Sequence, residues 1–236
     1  MTESKYIAGA GGGGGKGGGS KTPTEADDSL QSKQFANVLD LISEGEIEGL
    51  DDGNKSIFFD GTALQAADDS YNFSDFTVVT RTGTQAQSYI PGVFANVESE
   101  TAVGVEVTNA TPVVRSITDS DVNRVRVTIQ VPALQSIESD GDIVGTSVSI
   151  SIQVQYNGGG YNTVKTDTIS GKSSGSYQRD YLITLSGSFP VDIKVLRNTA
   201  DNASTKLSNL TNWQSFTSII DEKLAYTNSA LIGLRL

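Results

Sequence analysis

Two stretches of this sequence leave the backbone little choice. In "VRVTIQV", Val125, Val127, Ile129 and Val131 share one parity, while Arg126, Thr128 and Gln130 share the other, with Arg124 just before them. In "SVSISIQVQY", Val148, Ile150, Ile152, Val154 and Tyr156 alternate with Ser147, Ser149, Ser151, Gln153 and Gln155. Successive side chains of a strand point to opposite faces, so this period of two predicts strands with one face on a core and the other on water or a polar partner. "FTVVTRTG", "SYQRDYLITL" and "PVDIKVLRNT" extend the series, and "YNGGGYNTV" reads as a glycine hairpin. Asp60-Gly61 in "SIFFDGTAL" suits a two-residue turn with positive φ. Repeated short strands at this spacing predict a mainly β chain, an antiparallel sandwich or barrel. "PALQSIESDGDIVGT" is the one connection expected to hold a short helical turn.

The N-terminal quarter has a different texture. "GAGGGGGKGGGSK", residues 9–21, fails as a phosphate loop. The residue five before Gly15 is Ala10, no hydroxyl follows Lys16, and no strand precedes the run. Residues 1–21 therefore read as a flexible arm. A helix start is expected next, with Thr22 as cap, Pro23 in the first turn, and Glu25, Asp27 and Asp28 at its positive end.

Composition removes several functions. The chain has no Cys and no His, which excludes thiolate and imidazole metal sites, Cys nucleophiles and histidine-based triads. A formal net charge of −11 argues against coating nucleic acid or an anionic membrane. No apolar run is long enough to span a bilayer, so no membrane anchoring by this chain is expected. "ESDGDIVG" and "LDDGNKS" lack the ligand spacing of a calcium loop and read as turns. Glu44, Glu46 and Glu48 in "SEGEIEG" read as the polar side of a bend rather than as an acid/base pair. "SGKSSG" reads as a glycine-serine loop. No catalytic set, cofactor site or metal site emerges, and no enzyme activity is expected. The chain's end, with Leu231, Ile232, Leu234 and Leu236, calls for a strand paired inside a sheet, so more chain or a docking neighbour is expected beyond it.

"TPTEADDSLQS", "LDLISEGEIEGL" and "LTNWQSFTSIIDEKLAYTNSALIGLRL" closely resemble the N-terminal region of the phage lambda-type tail tip protein J family, also called host specificity protein or central tail hub. The matching residues are Thr22, Pro23, Glu25, Ala26, Asp28 and Leu30, then Ile42, Ser43, Glu44, Gly45, Ile47, Glu48 and Gly49. Ile169, Gly171 and Lys172 follow, then Trp213, Phe216, Thr217, Ile219, Ile220 and Asp221, and last Asn228, Ser229, Ala230, Leu231, Ile232 and Gly233. Members of the family are much longer, and their host-binding region lies downstream, so receptor binding is carried over to no residue here.

The resemblance implies a structural virion protein at the distal tip of a long non-contractile tail. It implies a homotrimeric hub that continues or closes the tail tube and organises the tip, with distal tail, tip assembly and tape measure proteins as partners. Genome DNA would pass the lumen without specific binding, helped by acidic charge. It further implies a discontinuous hub β domain, 22–84 with 201–236, holding an inserted sandwich-like domain at 85–200. Lys16 and Lys21 are expected to anchor the arm on carboxylates or carbonyls of neighbours. Two other readings compete. One is a β-sandwich adhesin binding saccharide through Tyr161, Tyr177, Tyr181 and Trp213. The other is a tail-associated lysin that would depend on Glu44.

Overall fold

The computed structural model describes residues 21–236; the expected arm of residues 1–20, with Lys16, lies outside the described residues. Along the chain, β1 (Asn37–Glu44), β2 (Phe58–Phe59), β3 (Thr62–Ala63), β4 (Thr77–Thr82) and β5 (Asn96–Glu106) come first. Then follow β6 (Val113–Ile117), β7 (Arg124–Val131), β8 (Gln135–Ile137), β9 (Ile143–Val144), β10 (Thr146–Tyr156) and β11 (Asn162–Gly171). The last are β12 (Tyr177–Thr184), β13 (Val191–Arg197), β14 (Leu207–Ser208), β15 (Asn212–Asp221) and β16 (Ser229–Arg235). The only helical turns among the described residues are two short 3-10 turns, Gly53–Ser56 and Gly92–Phe94.

The alternating strands form a sandwich of two antiparallel four-stranded sheets, ordered β11-β10-β13-β6 and β12-β7-β15-β5. These sheets are open rather than closed into a barrel. The aliphatic parity of β7 and β10 faces inward, with Val125, Val127, Ile129, Ile150, Ile152 and Val154 all buried in one cluster with Trp213. The other parity of β7 pairs with polar groups of its neighbours. Arg126 donates to Glu98 at 2.8 and 2.9 Å, and Thr128 to Asp180 at 2.8 Å. Asp60 and Gly61, at φ 47° and 77°, make the expected β2–β3 hairpin turn. Residues 134–144 form the β8–β9 hairpin instead of the helical turn expected there.

A second, smaller sheet is ordered β1-β16-β4. Its strand β16 is central, pairing Leu234 with both Val38 and Val78. This satisfies the apolar end of the sequence, as a strand bonded on both sides can be hydrophobic. Ile232 packs with Ile57 and Leu64 beneath this sheet. Strands β5–β15 thus leave from β4 and return into β16. The return lies after Asp221, not at residue 200, because β15 pairs with β5 and β7 in the sandwich. The departure lies before β5, after residue 84, for the same reason.

Candidate assembly surfaces

Residues 21–32 form no helix; they run extended over the sandwich as a strap. Their backbone is satisfied by the sandwich rather than by itself. Ala26 N–H donates to Ile143 at 2.9 Å, Ile143 N–H to Thr24 at 2.9 Å, and Ser29 N–H to the Lys172 carbonyl at 3.0 Å. Two of the three carboxylates expected at a helix N-terminus, Glu25 and Asp28, instead pair with Lys172. Its Nζ donates to Glu25 and Asp28, each at 2.8 Å, and its residue is only 3% exposed. Asp28 also accepts from the Ser174 backbone N–H and hydroxyl, at 3.0 and 2.6 Å. A buried ammonium requires such partners, so the strap and Lys172 stabilise each other. Leu30 packs on the sandwich core, and a Cβ at Gly171 would sit 2.7 Å from Ser29 Oγ and 2.9 Å from Leu30 Cγ. Lys21 reaches Asp140 and Asp142 of its own chain at 2.6 Å each, so this anchor is internal rather than on a neighbour.

Hydrogen bonds from Lys172 and then Ser174 hold the Asp28 carboxyl down to about 2. Its hydrogen bonds to Asp28 and then Glu25 push Lys172 upward. A depressed carboxylate contributes stability above its unfolded value and loses it as pH falls through the folded one. The strap is therefore expected to hold down to about pH 4 and to release as pH approaches about 2. The raised lysine adds a second limit, with its contribution lost only above the ordinary lysine range. An acid titration followed through the amide signals of Ala26, Ser29 and Leu30 tests this. Release centred near the ordinary carboxylate value would contradict it. The Glu25→Gln, Asp28→Asn double variant is expected to free the strap at neutral pH.

The "SEGEIEG" bend is a joint between chain segments. Gly45 N–H donates to Asn228 at 2.7 Å and Ile47 N–H to Thr82 at 2.8 Å, tying the bend to the start of β16 and the end of β4. Gly45 O lies 2.4 Å from where a Cβ would stand on Gly83, so Gly83 permits the approach. Ser43 Oγ donates to the Glu44 carbonyl at 3.0 Å. Gly45, Gly49 and Asn228 take positive φ of 92°, 136° and 59°. Glu44, Glu46 and Glu48 are exposed.

The remaining motif residues separate. Trp213 is fully buried in the sandwich, where its Nε1 donates to the Ser215 carbonyl at 2.8 Å across a bulge. Ile220 packs on the same core, and Asp221 pairs with Arg124. Leu231 is buried in β16, and Gly233 lies against the Phe94 ring. The proposed saccharide aromatics are not presented together. Trp213, Tyr177 and Tyr181 are buried, and Tyr161 lies under Lys194 at 4.5 Å.

Two polar clusters have no motif in the sequence. Arg179 and Tyr181 of β12 both donate to Asp167 of β11 at 2.9 Å, stitching the two sheets at one rim. Burial, reinforced by the bond to Asp167, pushes the Tyr181 phenol up. Buried Arg197 donates to the Asn209 carbonyl and side chain, both at 2.7 Å, and fixes the loop after β13. Among the described residues no group of three His, Cys, Asp or Glu could hold a metal ion.

The sandwich as folded, from β5 to β15, coincides with a family match. Residues 97–222 match the model of the tip attachment protein J, FNIII-A domain. The chain belongs to the tip attachment protein J family. A tip attachment protein J of Escherichia phage SECphi4 is 41% identical over 216 residues, covering 89% of this chain and 19% of that protein. That of Escherichia phage SECphi27 is 33% identical over 211 residues, covering 89% of this chain and 18% of that protein. The chain thus spans about a fifth of the length of these curated J relatives. A fructofuranosidase from Schwanniomyces occidentalis superposes with a TM-score of 0.25 and 13% identity, over 53% of this chain and 33% of that one. Within the J family frame, the strap and the bend join segments of one chain, so their motif residues serve first to build the subunit.

Proposed function

We propose that this chain is a structural, non-enzymatic part of a phage tail tip, contributing to a homotrimeric central hub at the distal end of the tail. In this reading the hub continues the tail tube, organises tip assembly proteins and contacts distal tail and tape measure proteins. The observation that carries it is the J-family match over the sandwich, with the Thr22–Asp28 motif strapped onto that sandwich and the Ser43–Gly49 motif bracing the second sheet. The strapped, bulged and glycine-cleared construction suits a rigid building block. The net charge of −11 suits a channel that DNA passes without adhering, because like charges repel the phosphates.

Imaging intact virion tails, with cross-linking to identify neighbours, tests the proposal. Three copies around the tail axis at the distal tip are expected. A different copy number, or a position along the tail shaft, would refute the hub.

A further inference from the structure

Strand β1 is an edge with an unusual surface. Its partner β16 bonds one side, and no strand among the described residues bonds the other. Ala36 and Leu236 exchange N–H···O bonds at 3.0 Å, so by antiparallel alternation Val38 and Asp40 bond to β16. The N–H and C=O groups of Asn37, Leu39 and Leu41 then point outward. Exposed edges are commonly protected by Lys, Pro or covering loops. Here the exposed side chains are aliphatic on both faces, with Leu41 58%, Val38 44% and Ile42 42% exposed. The opposite edge of the same sheet is partly used: Thr82 O accepts from Ile47 N–H and Thr80 O from Arg81 Nη1.

Charge narrows what fits. Between residues 36 and 52 there are six acids and no base. Asp40 and Glu44, both exposed, enter no ion pair among the described residues. A second copy's β1 would bring the same excess of acids to the contact, and two outward carbonyls of its β4 edge are already bonded within the chain. Beside Leu39 lies a small cleft of about 280 Å3, lined by Val93, Phe94 and Tyr226 and by the polar Asn37, Asn96 and Glu98. A strand added to β1 would send alternate side chains toward this cleft and the others toward Asp40.

We infer that β1 accepts an extended strand from a different polypeptide, with aliphatic residues alternating with lysine or arginine. Aliphatic positions lie opposite Leu39 and Leu41, and a basic one opposite Asp40; the bulge between Leu41 and Ser43 turns Glu44 to the leucine face, at the end of the strand. Main-chain bonds supply affinity and the alternating side chains supply selectivity. The inference deepens the assembly reading by stating the chemistry of one partner.

The test uses the whole chain and a fluorescent peptide, acetyl-Lys-Val-Lys-Val-Lys-Val-Lys-amide, with its Glu-for-Lys counterpart as control. Saturable binding of the lysine peptide is expected, with hydrogen-exchange protection at Leu39 and Leu41. The control peptide and the Asp40→Lys variant, checked as folded by circular dichroism, should each weaken binding at least about tenfold. Absent binding, equal binding of both peptides, or unprotected β1 amides would overturn the inference. A dimer locked by Leu41→Cys, in a chain otherwise free of cysteine, would assign the edge to a second copy instead. Failure of the peptide with three copies still found at the tail tip would remove this surface and leave the hub reading standing.

Discussion

Trp213→Ala is expected to destabilise the sandwich by about 3–5 kcal/mol, the cost of removing a large aromatic from a closed core. The indole is fully buried, and Phe216 lies beside it with ring centroids 6.2 Å apart. Its N–H also closes the bulge between Trp213 and Ser215, where the register of β15 shifts against both β5 and β7. Deleting the ring therefore empties a core site and leaves the Ser215 carbonyl without its donor. Trp213→Phe keeps much of the packing and loses the hydrogen bond, so a smaller loss is expected. Denaturant unfolding followed by far-UV circular dichroism measures both, since the substitution removes the chain's single tryptophan. A loss below about 1 kcal/mol for the alanine variant would show that the core closes around the gap.

Gly83→Ala is expected to act on the other sheet. The new Cβ would lie 2.4 Å from Gly45 O and 3.0 Å from Ala230 N, both backbone atoms that cannot rotate aside. Gly83 also sits at φ 91°, a conformation costing an L-residue roughly 1–2 kcal/mol. Overpacking adds about 1–3 kcal/mol. The "SEGEIEG" bend would be pushed off the β4–β16 corner, and hydrogen exchange should accelerate in β1, β4 and β16. Protection in β7 and β10 should stay unchanged. Equal loss across both sheets would show that they unfold as one unit.

The β architecture was legible because β7 and β10 each face two environments, and alternation records that directly. The β2–β3 turn was legible because Asp60-Gly61 names its own geometry. The strap was not. Thr22, Pro23, Glu25 and Asp28 satisfy every local rule for a helix start, yet a lysine more than a hundred residues away takes their charge. Local capping rules carry no information on such a partner. Lys172 was hidden for the converse reason: "SGKSSG" has loop composition, and only the fold closes the strap over it. The boundary of the inserted sandwich was missed because the β15 and β16 motifs are adjacent in sequence but belong to different sheets. Trp213 looked like either an anchor or a binding aromatic, and burial decides for the anchor.

The central position of β16 also sets an order of events during synthesis. Strands β1 and β4 do not bond to each other; each is held by β16, residues 229–235. The ribosome therefore releases both long before their common partner exists. In that interval the whole sandwich, β5–β15, can form as a unit, while β1 waits with aliphatic side chains and unpaired backbone groups uncovered. Such late, non-local pairing slows folding and leaves an aggregation-prone edge open. This sheet therefore closes only after β16 has emerged, once the sandwich is already in place, so its uncovered β1 edge is the part of the fold left longest without its partner.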